Sequence, residues 1–334
     1  MDSEETKHHH HHHRHHKRHW LRWLWGLIGI VLVVAIIFAA MAWRNLRDAT
    51  NDMYSSSGVS GRSVSKVLSQ KKPISILLLG TDTGALGRTE KGRTDTIMMM
   101  NINTQTNKTT IVSLPRDMKV DLPDYPDYSP AKINSAYTYG GVKETIKVIK
   151  EQFGIPVDAY LLVNMGAMEK AIDQVDGIDV KSPLTFTYEG YSFKKGKTYH
   201  MDGKEALAFS RMRYDDPDGD YGRQSRQRLI IAALIKESAS YKSVLNRKFL
   251  KTLSGGMQTN LSFSDMTKLA LNYRDATKVV QDYATGMSDD EDGVSYQQVS
   301  YNERQRISNL IRQSLGLQTK TLPDDDDSDS SYSN

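Results

Sequence analysis

The chain of 334 residues contains no cysteine. This absence excludes a disulfide scaffold, cysteine-ligated zinc, iron–sulfur clusters and a cysteine nucleophile. A strong charge of one sign is also missing from the part that can fold, because the net charge of +4 comes from residues 1–47. Residues 48–320 have only a mild excess of base. We therefore expect no nucleic-acid partner, although a mild excess suits an anionic ligand.

Long apolar runs are missing except for one near the N-terminus. Residues 24–43 carry no charged side chain, and an apolar helix of this length spans a bilayer. Tryptophans lie near both ends of the run and basic residues precede it, which favours a cytoplasmic N-terminus. The sequence predicts a His-rich basic cytoplasmic tail (1–22), a transmembrane helix (23–43) and an extracellular remainder at the cell membrane. A cleaved signal peptide is the alternative.

The remainder has the pattern of one α/β domain. Residues 44–72 have the composition of a linker, and residues 319–334 that of a disordered acidic tail, which leaves a folded region at 73–318. Alternating strand-like and helical patterns indicate a sheet covered on both faces. Strands are expected at 74–79, 96–102, 109–114 and 159–163, and helices at 141–153, 165–175, 224–240, 244–254, 263–274 and 302–314.

A glycine-rich loop joins the first two predicted strands and begins and ends with an aspartate. Asp82 follows the first strand, and Asp95 starts the second. Ligands of open α/β sheets bind at strand carboxyl ends, and two carboxylates there can converge on Mg²⁺. Ordinary turn aspartates are the alternative. Residues 87–94 have the spacing of a phosphate loop, but Arg replaces the required Lys and a strand follows, which excludes a P-loop nucleotidase.

Arginines follow the same strand ends. Arg93 lies in the glycine-rich loop, and Arg116 follows the third strand. Five more arginines fall within residues 211–228, among several aspartates. Because arginine forks bind phosphate oxygens in bidentate fashion, the set favours a pyrophosphate ligand. A surface network of arginines and aspartates is the alternative.

The spacing within residues 211–228 predicts how the side chains are presented. Arg211 and Arg213 are two apart, so on an extended stretch they would face the same way. Arg223 and Gln227 are four apart and would share one face at a helix start. A helix N-terminus adds partial positive charge and free N–H groups, which also favour an anion.

Four stretches together resemble the LytR-CpsA-Psr family. They are LLLGTDTGALGRTEKGRTDTIMMMNIN, IVSLPRDMKVDLP, KINSAYTYGG and FSRMRYDDPDGDYGRQSRQR. The resemblance implies an αβα sandwich with a central mixed β-sheet flanked by helices, preceded by one N-terminal transmembrane helix. It also implies a phosphotransferase that uses Mg²⁺, with Mn²⁺ as the alternative ion.

In that family, an anionic glycopolymer moves from a polyprenyl-pyrophosphate carrier to the C6 hydroxyl of N-acetylmuramic acid in peptidoglycan. The resemblance assigns metal binding to Asp82 and Asp95. It assigns pyrophosphate binding to six residues, which are Arg93, Arg116, Arg211, Arg213, Arg223 and Gln227.

Catalysis is expected from four residues, which are Asp82, Arg93, Arg116 and Asp220. Arginine and metal charge would stabilise the transition state, and Asp220 or a metal-side aspartate would accept the hydroxyl proton. Two alternatives stay open: a polyprenyl-pyrophosphate hydrolase, and a non-catalytic regulator that binds lipid or polymer. The polymer itself, whether teichoic acid, capsular polysaccharide or a rhamnose type, is not specified by the sequence.

Overall fold

Short apolar runs form the centre of the fold, a six-stranded sheet. The structure, a computed structural model, describes residue 48 and residues 52–81, 92–240 and 255–323, apart from the side chains of 238–240. The strands are β1 (Ile74–Thr81), β2 (Thr94–Asn103), β3 (Lys108–Ser113), β4 (Lys119–Val120), β5 (Ala131–Lys132), β6 (Ala159–Asn164), β7 (Ile178–Lys181), β8 (Phe186–Tyr188), β9 (Tyr191–Phe193), β10 (Thr198–Met201), β11 (Met257–Thr259), β12 (Lys278–Tyr283), β13 (Met287–Glu291) and β14 (Val294–Gln298).

The sheet is mixed, with the order β11–β6–β1–β2–β3–β12. β6 runs parallel to β1 and β12 parallel to β3, whereas the other neighbours are antiparallel. The predicted central mixed sheet is therefore confirmed. The remaining strands form four two-stranded sheets, among them the β13–β14 hairpin.

Helices cover both faces of this sheet. They are α1 (Val64–Ser69), α2 (Ser135–Phe153), α3 (Met165–Gln174), α4 (Gly203–Arg211), α5 (Gly219–Ser240), α6 (Phe263–Asn272) and α7 (Tyr301–Ser314). Successive strand side chains point to opposite faces. Leu77 and Leu79 accordingly pack in one core with α2 and α7, while Ile76 and Leu78 pack in another with α1 and α6. The flanking helices predicted for an αβα sandwich are confirmed.

A third hydrophobic cluster lies between α3, α4 and the strands β7–β10, with Phe186, Phe193 and Phe209 at its centre. Helix α5 contributes to two cores, because Ile230 belongs to this cluster and Ile231 packs against the cluster on the sheet. Its middle turns are thereby held between the sheet and the third cluster.

Several element boundaries differ from the sequence prediction. Helix α5 begins five residues before the predicted start, and α2 begins at Ser135 and kinks at Gly141, whose φ of 69° is not helical. Helix α4 was not predicted, although Asp202 caps it by accepting a hydrogen bond from the Glu205 N–H at 2.8 Å. The predicted helix at 244–254 lies outside the described residues.

The predicted linker is in part folded. Met53 is 1% exposed, and the Ser55 N–H donates to the Thr259 carbonyl at 2.8 Å, which ties residues 53–55 to the edge of the sheet. Arg62 Nε donates to Asp158 Oδ1 at 2.7 Å. Residues 52–72 thus pack on the domain. The linker prediction for this part is wrong, because apolar and ionic contacts between distant residues hold a segment of polar composition.

The predicted transmembrane helix and most of the acidic tail lie outside the described residues. Leu322, within the predicted tail, is buried and is among the last residues described. Within the described part of the chain, we find no helix with the length and apolar character needed to cross a bilayer.

Candidate functional site

The candidate site lies at one edge of the central sheet. Thr81 at the end of β1 pairs with Asn164 at the end of β6 and with Thr94 at the start of β2. Ser113 at the end of β3 pairs with Tyr283 at the end of β12. Four strand carboxyl ends therefore share this edge, where ligands of open α/β sheets bind.

Arg116 is surrounded by carboxylates at this edge. Its Nη1 donates to Asp95 Oδ1 at 2.6 Å, and its Nε lies 3.5 Å from Asp117 Oδ2 and 3.6 Å from Asp220 Oδ1. Burial opposes the charge of Arg116, but the carboxylates of Asp220, Asp95 and Asp117 outweigh it and raise the pKa of the guanidinium. The positive charge of Arg116 is therefore fixed in place.

Arg223 approaches the same point from the second turn of α5. Its Nη2 lies 2.8 Å from Asp220 Oδ1 and donates to the Asp95 carbonyl at 3.1 Å. Burial lowers the pKa of Arg223; the Asp220 carboxylate partly offsets this effect, and the nearby Arg116 and Arg213 charges add to it. An arginine remains charged even so. Arg116 and Arg223 thus form a concentrated positive charge in a largely buried setting.

Besides Arg116 Nε and Asp220 Oδ1, which lie 3.6 Å from each other, three buried polar atoms here make no hydrogen bond in the described structure: Arg223 Nε, Gln224 Oε1 and Gln227 Oε1. Leaving such a group unsatisfied costs about 1–3 kcal/mol, so native proteins rarely do so without a reason. The atoms border a depression lined by Asp95, Thr96, Ile97, Met98, Ser113, Leu114, Arg116, Arg223, Gln224 and Gln227. Together with the N-terminus of α5, they can bind an anion with acceptor and donor atoms of its own.

The structure brings five of the predicted site residues together, which are Asp95, Arg116, Asp220, Arg223 and Gln227. Arg93 is exposed one residue before β2 and has no ion pair with a described residue. Asp82 lies outside the described residues. The roles assigned to these residues stay predictions.

Arg211 and Arg213 do not lie on one extended stretch, so that expectation is wrong. Arg211 is the last residue of α4, and its Nη1 pairs with Glu189 Oε1 at 2.9 Å. Arg213 follows the helix, stacks on the Tyr214 ring at 5.0 Å, and is close enough to lower the pKa of Arg223. The cause is the cap and the buried apolar face of α4, which extend helix up to Arg211.

Two residues of the site were missed in the sequence. Asp117 pairs with both Arg116 and Lys132, whose Nζ lies 3.0 Å from Asp117 Oδ1. Gln224 Nε2 donates to Asp220 Oδ2 at 3.0 Å. Asp117 could have been found because it directly follows Arg116 in the sequence. Gln224 could have been found because it lies four residues after Asp220, which places both on one helix face.

Asp220 stays a predicted proton acceptor, but its surroundings favour another role. Its Oδ1 is ion-paired with Arg223 and lies near Arg116, and its Oδ2 accepts from Gln224. A carboxylate engaged on both oxygens holds its partners in position. We infer that Asp220 positions the two arginines.

Of the two predicted metal ligands, Asp95 lies within the described residues. Asp95 is a carboxylate at the mouth of the depression, its side chain is 32% exposed, and oxygen is the ligand that Mg²⁺ prefers. Among the described residues, no three His, Asp or Glu side chains are grouped to hold a metal. The oxygen chemistry and exposure of Asp95 are compatible with its predicted role as a metal ligand, and that role stays a prediction.

The αβα sandwich defines an α/β domain with a cluster of arginines and aspartates at the carboxyl ends of its strands, the place where sheets of this kind bind their ligands. The chain belongs to the LytR-CpsA-Psr family, whose family model, LytR_cpsA_psr, matches residues 40–313. This confirms the family predicted from the sequence motifs.

Known proteins of similar sequence align with most of the chain. It is 43% identical over 250 residues to the polyisoprenyl-teichoic acid–peptidoglycan teichoic acid transferase TagU of Enterococcus faecalis, covering 74% of this chain and 82% of that protein. It is 40% identical over 273 residues to biofilm regulatory protein A of Streptococcus mutans, covering 76% and 67%. The solved structure described as TagT bound to LIIa-WTA superposes with a TM-score of 0.62 at 26% identity, covering 79% and 97%.

Proposed function

We propose that this chain is a transferase that moves a teichoic acid, or a similar anionic glycopolymer, from a polyprenyl-pyrophosphate carrier to peptidoglycan. The acceptor is the C6 hydroxyl of N-acetylmuramic acid. Family membership and the TagU relative, named as a teichoic acid transferase, support the reaction class. The observation that carries the proposal is the Arg116–Arg223 pair with unpartnered polar atoms beside it.

The site chemistry suits a pyrophosphate. Attack on a diphosphate is repelled by its negative charge unless fixed positive groups offset that charge in the transition state. Arg223 keeps Nε unpartnered, so its fork can donate to phosphate oxygens, and Gln227 lies one turn further along the same helix face. Arg116 lies across from them, fixed by Asp95 and Asp220.

The transfer step exchanges one phosphorus–oxygen bond for another and needs no separate energy source. The sugar hydroxyl oxygen forms a bond to the phosphorus that bears the polymer, and the bond from that phosphorus to the bridging oxygen breaks. Polyprenyl phosphate leaves with the electron pair, and the hydroxyl proton passes to a carboxylate or to solvent. Arg116 and Arg223 stabilise the charge that develops on the non-bridging and leaving oxygens.

We propose Mg²⁺, with Mn²⁺ as a substitute, as the cation that Asp82 and Asp95 hold. When bound, it would neutralise part of the diphosphate charge. The test is Mn²⁺ binding by electron paramagnetic resonance in the absence of substrate. Asp95→Asn should weaken binding at least tenfold, whereas Asp290→Asn, an exposed aspartate of the β13–β14 hairpin, should leave it unchanged. Equal binding by both variants would contradict the site.

We further propose that a membrane helix at 23–43 anchors the enzyme, with residues 48–334 outside the cell. The charge-free run and the lipid carrier of the proposed donor support this arrangement. The absence of cysteine makes the test clean, because single cysteines can be introduced at Ser3 and Ser57. A membrane-impermeant maleimide added to intact cells should label Ser57→Cys and not Ser3→Cys; the reverse pattern would overturn the topology.

The reaction itself is tested with the full chain in detergent micelles. A short polyprenyl-pyrophosphate glycan, a peptidoglycan oligomer and Mg²⁺ are supplied, and products are identified by mass spectrometry. We expect an adduct in which the glycan is joined to the peptidoglycan oligomer by a phosphodiester. This adduct should be lost in Arg116→Ala and kept in the control Arg274→Ala, which alters an exposed arginine outside the candidate site. Release of polyprenyl phosphate without an adduct would indicate a hydrolase, and bound donor without turnover would indicate a binding regulator.

A further inference from the structure

Three neighbouring tyrosines, two exposed and one partly buried, form an aromatic surface beside the site, which we call the tyrosine platform: Tyr125, Tyr128 and Tyr139. The Tyr128 and Tyr139 rings lie 4.4 Å apart, centre to centre, and Tyr125 lies 6.0 Å from Tyr139. Tyr128 is 55% and Tyr139 39% exposed. Neighbouring exposed rings of this kind mark a binding surface more often than a structural feature, because their apolar faces stay in contact with water.

The platform is firmly built. The Leu122 N–H donates to Ser129 Oγ at 2.8 Å, which closes the loop that carries Tyr125 and Tyr128. The Asp124 N–H donates to the buried Glu144 Oε1 at 3.0 Å, which fixes the loop to α2. A Cβ at Gly140 would lie 2.8 Å from the Tyr125 ring, so glycine is what permits this close packing. Such support holds the ring faces in one arrangement.

The platform adjoins the catalytic edge. The Asn134 N–H, just before α2, donates to the Arg116 carbonyl at 3.2 Å. Thr138 Oγ1 donates to the Gly92 carbonyl at 3.3 Å, next to Arg93. Tyr139 follows Ser135, the first residue of α2, by four residues, which is about 6 Å along a helix. A ligand of a few sugar units can therefore contact both the platform and the arginine cluster.

We propose that the tyrosine platform binds the glycan of the peptidoglycan acceptor, a proposal that rests on the proposed function. The C–H groups of a pyranose face pack on tyrosine rings, and hydroxyl or acetamido groups remain in water. Charge selects the acceptor over the donor polymer. Asp121 and Asp127 are exposed and have no salt bridge with a described residue, so they repel a polymer with a phosphodiester at every unit more strongly than the peptidoglycan backbone, in which every second sugar is uncharged.

The test measures binding of a peptidoglycan glycan oligomer without stem peptides to the full chain in detergent micelles, by calorimetry. Tyr128→Ala and Tyr139→Ala should each raise the Kd about tenfold. Tyr139→Phe, which keeps the ring face, should stay within about twofold of the unaltered chain, as should Tyr54→Ala, a tyrosine exposed elsewhere. Mg²⁺-dependent binding of inorganic pyrophosphate should not change in any variant.

The proposed role of the tyrosine platform is wrong if the alanine variants bind the glycan as tightly as the unaltered chain. It is equally wrong if they lose binding of an anionic glycopolymer instead, or lose pyrophosphate binding as well. Turnover separates the two proposals. An active enzyme whose alanine variants keep the acceptor KM would refute the platform alone. Platform-dependent glycan binding in a chain that transfers nothing would refute the transferase and support the platform.

Discussion

Two arginines three residues apart on α5 have opposite surroundings. Arg226 is 1% exposed; it donates through Nε to the Phe209 carbonyl at 2.9 Å and through Nη2 to the Met212 carbonyl, and it pairs with Asp216. Arg223 is nearly as buried, but its Nε has no partner. The two arginines are thus alike in burial and charge, but only Arg226 has a hydrogen-bond partner for its Nε. A fully bonded arginine stabilises the fold, whereas one with a free donor is available to a ligand.

The largest expected effect on stability is at Arg226. Arg226→Ala leaves the Asp216 carboxylate and two carbonyl groups buried without their partner, so the free energy of unfolding should fall by about 3–5 kcal/mol. Urea unfolding of the full chain in detergent, followed by circular dichroism, measures it. The matched comparison is Arg223→Ala, which should cost less, about 1–3 kcal/mol, because Asp220 keeps its hydrogen bond from Gln224. Equal losses in the two variants would remove the distinction between the arginines.

Activity should show the reverse order. Arg223→Ala should lower kcat/KM for the polyprenyl-pyrophosphate donor about 10²–10³-fold, as removal of one preorganised charged donor does in other enzymes. Arg223→Lys should recover little, because an ammonium keeps the charge but lacks the planar fork. Steady-state transfer kinetics at saturating acceptor provide the measurement. A variant with near-normal kcat/KM would mean that the unpartnered Nε has no role with substrate.

The Arg62–Asp158 pair is an intermediate case. Asp158 is buried and also accepts from the Ser75 N–H at 2.8 Å, so it keeps partners after Arg62 is removed. Arg62→Ala should therefore cost about 1–3 kcal/mol, less than Arg226→Ala. The change should also make residues 52–62 more susceptible to limited proteolysis, with unfolding in urea as the second measurement. Unchanged stability and unchanged cleavage would indicate that this segment does not belong to the folded unit.

The sequence was sufficient for the long elements of the fold. Strands with continuous apolar runs and helices with a clear apolar face were predicted, because burial on a sheet or helix face imposes a regular period. The short strands β7–β10 and the β13–β14 hairpin were not. The hairpin begins with Met287 and continues with acidic residues, so no apolar alternation marks it, and its contacts include a pair between Lys119 and Glu291.

The site was predictable in its residue types and less so in its contacts. Arg116 and Arg223 could be placed at a strand end and a helix start, and the family motifs supplied their roles. That Asp117 and Gln224 complete the cluster depends on side chains brought together from separate elements. Arg211 was misplaced because its position depends on a cap nine residues before the helix end, a signal weaker than the arginine spacing.

The smallest expected effect on stability is at Arg306, an arginine that is much more exposed than Arg223 or Arg226. Glu303 accepts from Arg306 Nε at 2.8 Å, and this bond, opposed by burial, lowers the pKa of Glu303 below its usual value. A lowered carboxyl pKa stabilises the folded state above about pH 4.3, and this stabilisation is lost as pH falls through the folded-state pKa. Because Arg306 is nearly half exposed, Glu303→Gln should cost only about 0.2–1 kcal/mol at pH 7. Urea unfolding at a series of pH values should show that the difference in stability between the unaltered chain and Glu303→Gln shrinks below about pH 4. If this difference persists at lower pH, the hydrogen bond that Glu303 accepts from the Thr285 N–H, and not its charge, is responsible for the effect.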